Sequence, residues 1–459
     1  MDTSGTTPEN RVRADDRPAD PRATRKAAWA GLVGTTLEQY DFVIYGTASA
    51  LVFSTLFFPN ISPAAGILAS FSAYAVGFLA RPLGGLFFSR YGDRFGRKWI
   101  LVVTLLLMGG STLLIGLLPT YESIGVLAPV LLVLCRFLQG FGAGAEQAGA
   151  ATLPTETVGR GRRGRYASLV MVGAALGTAL GAVVWVAVQQ LGEEALLAWG
   201  WRLVFVSSLV VTVVAMVIRR KLDESPVFTE LKETHVAPRR PAGEVLRHGR
   251  RPMLLVLFMN VGASAQSYTF QVFVASYLVS TIGVDASFVP QVLLVGAICG
   301  GIAAFGFGAL SDRFGRRPVY STILAAMVLL PGPAFIAFGT GNHAAIVVTM
   351  IVSFVLAVNG AVGVQMSWFP ELFGNRYRYA GVTLGREFSS ALGGGVAPLI
   401  CAALIAAFAG SWIPVAVYMS GMAVISLIAA RMAPETVDRD LTVPQDAAAV
   451  VRAEGAPVR

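Results

Sequence analysis

Long apolar stretches separated by short polar ones run through most of the chain. Residues 101–118 carry no charged side chain, and neither do residues 319–339. About 20 consecutive apolar residues are enough to cross a bilayer as a helix. The pattern predicts an all-α protein with twelve membrane spans, near residues 27–52, 64–88, 99–118, 125–150, 167–190, 201–219, 252–280, 288–310, 319–339, 343–368, 379–406 and 411–431.

A short polar run occurs twice, at equivalent places in the two halves of the chain. Residues 92–98 read GDRFGRK after the second predicted span, and residues 311–317 read SDRFGRR after the eighth. The two copies lie about half a chain length apart, which indicates two similar six-helix bundles joined head to tail. Two such halves around a central site are a common construction among membrane transporters.

Polar composition marks the boundaries of these halves. We expect disordered tails at both ends, because Asp, Arg, Pro and other polar residues dominate there. The predicted division is a tail over 1–26, a first bundle over 27–220, a central loop over 221–251, a second bundle over 252–433 and a tail over 434–459.

The distribution of positive charge predicts the topology. The chain carries 36 Lys and Arg against 27 Asp and Glu, a net charge of +9. These basic residues occupy alternate loops and both tails, whereas the intervening loops contain none. Basic loops stay on the cytoplasmic side of a membrane, so both termini and the central loop are expected in the cytoplasm. The basic residues form no single patch, which argues against a nucleic-acid partner.

The overall composition excludes most soluble enzyme classes. Hydrophobic residues make up 55% of the chain and charged residues 14%, whereas a soluble domain carries roughly 25% charged residues. The three cysteines, Cys135, Cys299 and Cys401, all fall in apolar stretches, and no Cys/His pair has metal-ligand spacing. Without a phosphate-binding loop or a nucleophile motif, we predict neither an enzyme nor a cofactor.

Charged residues inside the first predicted span are the strongest candidates for chemistry. Glu38, Asp41 and Tyr45 follow one another at intervals of three and four residues, so they share one helix face. By the helical rise they lie near the bilayer midplane, where a carboxylate costs at least about 2.5 kcal/mol. Two close carboxylates repel, which favours proton uptake by one of them. We predict a proton-coupling pair; the alternative is a structural ion pair with Arg136 or Arg81.

The fourth predicted span adds a central cation. Arg136 lies near the midplane and is the predicted counter-ion of Glu38 and Asp41; with Tyr45, it is also a predicted substrate contact, since a guanidinium binds a carboxylate with two hydrogen bonds. Gln139 and Gln147 are predicted hydrogen-bonding partners of the substrate. Glu146 either pairs with Arg97 as part of a gate or contacts the substrate.

The second half offers Gln271 in span 7 and the neighbours Arg386 and Glu387 in span 11. Adjacent residues are about 100° apart on a helix, so we expect one to line a cavity and the other to meet a neighbouring helix. Arg386 and Arg136 together predict a clamp for an anion between the halves. The alternative places Arg386 at the cytoplasmic surface.

The repeated polar runs predict a gate on the cytoplasmic side. Asp93 can accept backbone N–H groups at a helix start or pair with Arg97, and Asp312 with Arg316. The alternative is that these basic residues serve only to set the membrane topology of the protein.

At these runs the chain resembles the major facilitator superfamily, and several further motifs are similar to its metabolite–proton symporter family. Two departures concern residues that are aromatic in the family: Gln39 stands for Trp, and residues 144–149 read GAEQAG for GGEWGG. The resembling segments are EQYDF at 38–42 followed by Tyr45-Gly46, FLARPLGG at 78–85, RFLQGF at 136–141, WGWR at 199–202, DESPVF at 223–228 and PELF at 370–373.

The resemblance implies a twelve-helix symporter that takes up a small organic acid or a zwitterion together with protons. The implied partners are a small solute, a proton and the lipid of the cytoplasmic membrane, with the monomer as the functional unit. Two other functions stay open: a proton-driven exporter of amphipathic compounds on the same fold, and a membrane sensor that does not transport.

Overall fold

The computed structural model describes residues 21–95, 97–144, 155, 158–159, 161–220, 241–441 and 443–448, and the described part of the chain is helical with no strand. Its twelve long segments, each overlapping one predicted span, are α1 Pro21–Leu51, α2 Pro63–Phe95, α3 Arg97–Leu117, α4 Leu127–Ala143, α5 Arg163–Gln189, α6 Glu193–Val217, α7 Arg250–Ile282, α8 Phe288–Phe314, α9 Arg316–Leu329 with Pro331–Gly339, α10 His343–Glu371, α11 Arg378–Ala407 and α12 Ile413–Met432. Three of the shorter helices connect them: Phe53–Phe57, Tyr121–Ile124 and Pro241–His248.

Eight of the described segments are long and apolar enough to cross a membrane on their own: α2, α5 to α8 and α10 to α12. The two parts of α9 pass the same test together and are bent by 42° at their break, where Pro331 supplies no N–H to the preceding turn. In their apolar parts, α3 and α4 are shorter. Large aliphatic side chains such as Ile302 and Leu329 are 72% and 74% exposed, as expected of a surface that faces lipid.

Small residues let the helices of one bundle approach closely, as in many membrane proteins. At Gly140 in α4, a Cβ atom would overlap the carbonyl oxygen of Gly77 in α2. In α5, a Cβ atom at Gly173 would overlap the carbonyl oxygen of Leu32 in α1. These contacts agree with the packing role that glycine-rich spans usually have.

The two bundles, α1 to α6 and α7 to α12, contact each other through helix pairs that include α1 with α7, α5 with α8 and α2 with α11. A Cβ atom at Gly46 in α1 would touch Val272 in α7, and one at Gly301 in α8 would touch Ala175 in α5. In the third pair, α2 with α11, a Cβ atom at Gly395 would overlap Phe78. We call the end that carries Arg162, Arg165, Arg313 and Arg317 the arginine-rich face, and the other end the opposite face.

The described helices extend into the predicted N-terminal tail and the predicted central loop. The first of them begins at Pro21, within the predicted tail 1–26. Within the predicted loop 221–251, Pro241 starts a short helix and α7 begins at Arg250. Proline is well suited to a first helical position because that N–H has no partner in the helix.

The C-terminal segment after α12 contacts the second bundle over the described residues 434–441 and 443–448, which fall within the predicted tail 434–459. Its polar groups find partners on the second bundle. Trp368 Nε1 donates to the carbonyl oxygen of Pro434 at 3.2 Å, and Arg378 Nη2 donates to that of Leu441 at 2.7 Å. The Asp446 carboxylate accepts from the Tyr377 hydroxyl at 2.9 Å. Composition alone missed these partners because they lie in distant parts of the chain.

Candidate functional site

A cavity with an empty volume of about 600 Å³ lies between the two bundles. The first bundle supplies Gln39 from α1, and the second supplies amide and hydroxyl groups from α7, α10 and α11. Among the described residues that line it, Arg386 is the charged side chain and Tyr268 the aromatic one. The cavity is therefore polar, with a single positive charge on its described wall.

Gln39 and Gln271 connect the bundles across this cavity. Gln39 Nε2 donates to Gln271 Oε1 at 3.0 Å, and Gln271 Nε2 donates to the hydroxyl of Ser267 at 3.0 Å. Gln39 occupies the place of the tryptophan expected from the motif resemblance. A hydrogen-bonding amide thus replaces a large aromatic surface in the cavity wall.

Arg386 is buried against the cavity with little to bind. Its side chain belongs to a residue that is only 8% exposed, and Nη1 meets the sulfur of Met366 at 3.5 Å. Thioether sulfur is a weak acceptor, and the buried Nε has no hydrogen-bond partner among the described residues. A buried cation in this situation is well placed to hold an anion. The burial of Arg386 also disagrees with the alternative in which its side chain reaches the cytoplasmic surface.

Arg81 in α2 lies at the centre of an ion-pair network. Its Nη1 binds Glu38 Oε1 at 2.6 Å within the first bundle, and its Nε and Nη2 bind the carboxylate of Glu387 in α11 at 2.7 and 3.2 Å. This corrects the expected pairing of Glu38 with Arg136. Neither Arg81 nor Glu387 was among the predicted site residues, although Arg81 was the alternative partner for Glu38. The sequence feature that could have identified both is a charged residue within a predicted membrane span.

Arg136 is fully buried among aromatic rings. Its guanidinium carbon lies 4.2 Å from the ring centre of Tyr45, 4.6 Å from that of Phe42 and 4.8 Å from that of Tyr74. Arginine stacks readily on aromatic faces, which explains why this cation points into the bundle. Within the first bundle, the rings provide favourable surroundings that a carboxylate partner would otherwise supply.

A chain of hydrogen bonds links Arg136 to Asp41. Arg136 Nη1 donates to Gln139 Oε1 at 2.5 Å, Gln139 Nε2 donates to the Thr112 hydroxyl at 2.6 Å, and that hydroxyl donates to Asp41 Oδ2 at 2.9 Å. Arg136, Gln139 and Tyr45 are not among the described residues that line the cavity, whereas Gln271 and Arg386 are. This geometry differs from the prediction that all five contact the substrate directly.

The second polar run joins the bundles at the arginine-rich face. Asp312 accepts the backbone N–H groups of Gly164 and Arg165 in α5, each at 2.8 Å, and the Nη1 group of Arg316 at 2.8 Å. Arg316 also binds Glu371 with two nitrogens, at 3.1 and 3.2 Å. The side chains of Asp93 and Arg97, and residues Glu146 and Gln147, lie outside the described part of the chain.

The C-terminal segment adds to this closure. Arg163 in the first bundle donates to the carbonyl oxygen of Arg439 at 2.6 Å, and Arg439 in turn donates to the carbonyl oxygen of Glu371. Burial lowers the pKa of Arg439 to about 10, so it stays charged at neutral pH. On the opposite face, Gln189 Nε2 donates to the carbonyl oxygen of Ala286 at 3.0 Å. Contacts between the bundles therefore occur on both sides of the cavity.

Two helical bundles around a polar cavity are typical of membrane transporters. The sequence profile described as the Major Facilitator Superfamily matches residues 34–398, and the chain belongs to that family. This confirms the predicted all-α fold of two six-helix bundles, and the chain is accordingly a multi-pass membrane transporter.

Known proteins resemble the chain over nearly its full length. The shikimate transporter of Escherichia coli is 36% identical over 92% of this chain and 97% of its own. The proline/betaine transporter of Salmonella typhimurium is 32% identical over 92% of this chain and 86% of its own. A crystal structure of a D-xylose–proton symporter matches with a TM-score of 0.68 at 17% identity, over 91% of this chain and all of that one.

Proposed function

We propose that this transporter is a proton-coupled symporter that carries a small organic anion into the cell across the inner membrane. The main observation in support is Arg386, a buried cation on the wall of the central cavity. Its described polar partner is the thioether of Met366. Alternating exposure of that cavity to the two faces then moves the solute.

The charges in the middle of the described structure balance. Glu38, Asp41 and Glu387 are matched by Arg81, Arg136 and Arg386, all of them buried. Protonation of one carboxylate leaves one positive charge in excess, and an incoming monoanion restores neutrality. Since an unbalanced charge is costly in a membrane interior, each ligand favours the binding of the other. That mutual dependence is the requirement for symport.

Asp41, Glu38 and Arg136 are the proposed proton-coupling residues. When Asp41 is ionised, the Thr112 hydroxyl donates to it, and Gln139 transmits this orientation to Arg136. A protonated Asp41 no longer needs that donor, so the chain can rearrange and change the position of the Arg136 guanidinium. Arg136 therefore acts behind the cavity wall, while Gln271 and Arg386 contact the substrate. Gln147 keeps its predicted role as a hydrogen-bonding partner of the substrate, and Glu146 keeps its two predicted alternatives, a gate with Arg97 or a substrate contact.

The cavity favours an anion over a zwitterion with a quaternary ammonium group. Such a cation needs a carboxylate or an aromatic cage, and the described wall offers one aromatic ring, Tyr268. The rings of Phe42, Tyr45 and Tyr74 already surround Arg136. The polar wall also supports uptake of a hydrophilic solute over export of amphipathic compounds, which would bind better to an apolar cavity.

The orientation follows from the distribution of arginine. The basic loops of the arginine-rich face are proposed to lie in the cytoplasm, with both termini and the central loop. Asp93, Arg97, Asp312 and Arg316 then form the cytoplasmic gate. The similarity to a shikimate transporter and to a D-xylose–proton symporter supports coupled uptake of a hydroxylated solute.

A thermal-shift panel on the purified protein tests the substrate class. Shikimate, 2-oxoglutarate, citrate, proline and glycine betaine are each added, and a ligand raises the melting temperature by mass action. We expect stabilisation by a carboxylate with no cationic group. The stabilising compound is then given to proteoliposomes containing a pH-sensitive dye, where uptake should acidify the lumen. Stabilisation by glycine betaine alone, or uptake without acidification, would contradict the proposal.

A further inference from the structure

The described wall of the central cavity has one strong hydrogen-bond donor, Arg386. Its Nε has no hydrogen-bond partner among the described residues, and no acidic side chain lines the described wall. The hydroxyls of Thr35 and Thr178, also in the wall, already donate to carbonyl oxygens of their own helices, at 2.8 and 3.2 Å. A carboxylate only accepts hydrogen bonds, so it binds best at Arg386, and a second carboxylate would find no further cation on the described wall.

The amide side chains of the wall use their nitrogen atoms on the protein. Gln39 Nε2 donates to Gln271, and Gln271 Nε2 donates to Ser267. Asn260 Nδ2 donates to the hydroxyl of Ser389 at 2.6 Å. These bonds favour the carbonyl oxygens as the amide atoms that meet a solute. Such a wall suits a solute that carries hydroxyl groups, because a hydroxyl can donate to a carbonyl oxygen.

Gln365 of α10 shows this polarity most clearly. It is 1% exposed; its Nε2 donates to the Tyr320 hydroxyl at 2.7 Å, and that hydroxyl donates to the carbonyl oxygen of Met259 at 2.9 Å. A tyrosine hydroxyl has one proton, so the amide atom that faces it must be a donor, and this fixes the orientation of the amide.

The other end of this amide has an unused acceptor. Gln365 lines the central cavity, whereas Tyr320 does not. The buried Oε1 of Gln365 has no hydrogen-bond partner among the described residues. An unpaired buried acceptor is unfavourable, and a hydroxyl of the solute would satisfy it.

Gln365 and Arg386 lie close enough for one small solute to reach both. Arg386 Nη1 of α11 meets the sulfur of Met366 at 3.5 Å, and Met366 directly follows Gln365 on α10. Consecutive Cα atoms are about 3.8 Å apart. The cation and the unpaired acceptor therefore belong to neighbouring parts of two helices that line the same cavity.

We propose that the solute is a hydroxylated monocarboxylate and that Gln365 selects it, an inference that rests on the proposed uptake of an organic anion. The carboxylate binds Arg386, and a hydroxyl on the same carbon skeleton donates to Gln365 Oε1. Tyr320 is a positioning residue, because it holds the amide with its oxygen available to the cavity. Acids without the hydroxyl leave Oε1 unpaired, and dicarboxylates bring a second charge that the described wall does not neutralise.

Pairs of carboxylates that differ only in their hydroxyl groups test this selection on the purified parent protein. The pairs are shikimate with cyclohex-1-ene-1-carboxylate, quinate with cyclohexanecarboxylate, and D-gluconate with hexanoate; citrate serves as a hydroxylated tricarboxylate. Dissociation constants come from thermal-shift titrations in detergent at neutral pH, without a proton gradient. In at least one pair, the hydroxylated acid should bind roughly tenfold more tightly than its partner, and more tightly than citrate.

Gln365→Met removes the acceptor. The hydroxylated acid should lose about tenfold in affinity, while its partner without hydroxyls should bind as it does to the parent. Gln266→Met is the matched control, because Gln266 is also buried and its Oε1 also has no described partner, yet it does not line the cavity. This control should keep the preference of the parent.

Tyr320→Phe removes the hydroxyl that orients the amide. The N–H groups of Gln365 can then turn to the cavity, so the keto analogue of the bound acid, which only accepts hydrogen bonds there, should gain affinity while the hydroxy acid loses it. A purely structural role of Tyr320 would change both affinities in the same direction.

Equal dissociation constants within every pair, no binding of any hydroxylated acid, tighter binding of citrate, or an unchanged preference in Gln365→Met would each overturn the assignment. If Gln365→Met fails to fold, a Tyr320→Phe variant that weakens the hydroxy and keto acids equally would have the same consequence. Equal binding within the pairs would leave the proposed anion uptake intact. Uptake without acidification in proteoliposomes would contradict symport and leave these constants unchanged, so the two proposals can be judged separately.

Discussion

At the scale of single residues, two buried arginines have the same guanidinium group but different surroundings, which suit them to different roles. Arg136 is surrounded by aromatic rings and is linked to Asp41 by hydrogen bonds through Gln139 and Thr112. Arg386 has a sulfur atom as its described partner and lines the cavity. The first is suited to respond to a proton inside the bundle, and the second to hold the carboxylate of a solute.

Replacement of Arg386 should weaken anion binding. A charge-assisted hydrogen bond contributes about 1.5–3 kcal/mol, so Arg386→Ala is expected to raise the dissociation constant of the anion roughly 10- to 100-fold. Arg386→Lys should restore little, because an ammonium cannot form the two-pronged bond. Binding is measured by the ligand-induced shift in melting temperature. Arg202→Lys, on the opposite face, should bind as the parent does; unchanged binding by Arg386→Ala would remove this residue from the site.

Asp41→Asn should separate exchange from accumulation. The amide can still accept from Thr112 but cannot take up a proton at neutral pH. We expect uptake to reach only equilibrium with the medium, while exchange of internal for external substrate continues in proteoliposomes. Glu38→Gln should impair accumulation less, since Arg81 keeps Glu387. If Asp41→Asn vesicles still acidify in step with uptake, Asp41 is not the coupling residue.

At the scale of elements, backbone contact between α2 and α4 sets the position of Arg81 and Arg136. A Cβ atom at Gly140 would overlap the carbonyl oxygen of Gly77, and one at Gly144 would overlap that of Arg81. Both arginines are on these two helices, so the close crossing brings two cations into one bundle. The charge pattern therefore depends on the absence of side chains at these glycines.

Gly140→Val should be markedly less stable than Gly110→Val. Overpacking costs typically about 1–3 kcal/mol, and here the obstacle is backbone, which cannot move aside easily. A Cβ atom at Gly110 in α3 meets nothing within 4 Å, which makes it a control with the same change in helix propensity. Melting temperatures in detergent compare the two. Equal melting temperatures would mean that the α2–α4 crossing tolerates a side chain.

At the scale of the whole molecule, contacts between bundles occur on both faces at once. Asp312 joins the bundles at the arginine-rich face through two backbone N–H groups of α5, while Gln189 joins them at the opposite face. Transport requires these sets to break in alternation. The rate of turnover should therefore be sensitive to residues that lie far from the cavity.

Asp312→Asn should lower the turnover rate several-fold and leave the dissociation constant of the substrate unchanged. The amide offers one acceptor where the carboxylate binds two N–H groups and Arg316. Initial uptake rates and thermal-shift titrations measure the two quantities. Asp285→Asn is the control, because Asp285 is exposed on the opposite face and its carboxylate accepts a local hydrogen bond from the N–H of Ser287. Lost binding with normal turnover in Asp312→Asn would refute a gating role.

The amino-acid sequence alone determined the number of spans, the two-bundle plan and the buried charges of the first, fourth and eleventh spans. It could do so because the bilayer penalises charge and unpaired backbone along each helix separately. Helical periodicity also separated Arg386 from Glu387. Only the tertiary structure decided which acid meets which base: Arg81 and Glu387 are 306 positions apart, and Arg136 lies among rings from other helices. The position of the C-terminal segment was decided there too, because its partners, Trp368, Tyr377 and Arg378, become neighbours only after α10 and α11 have packed.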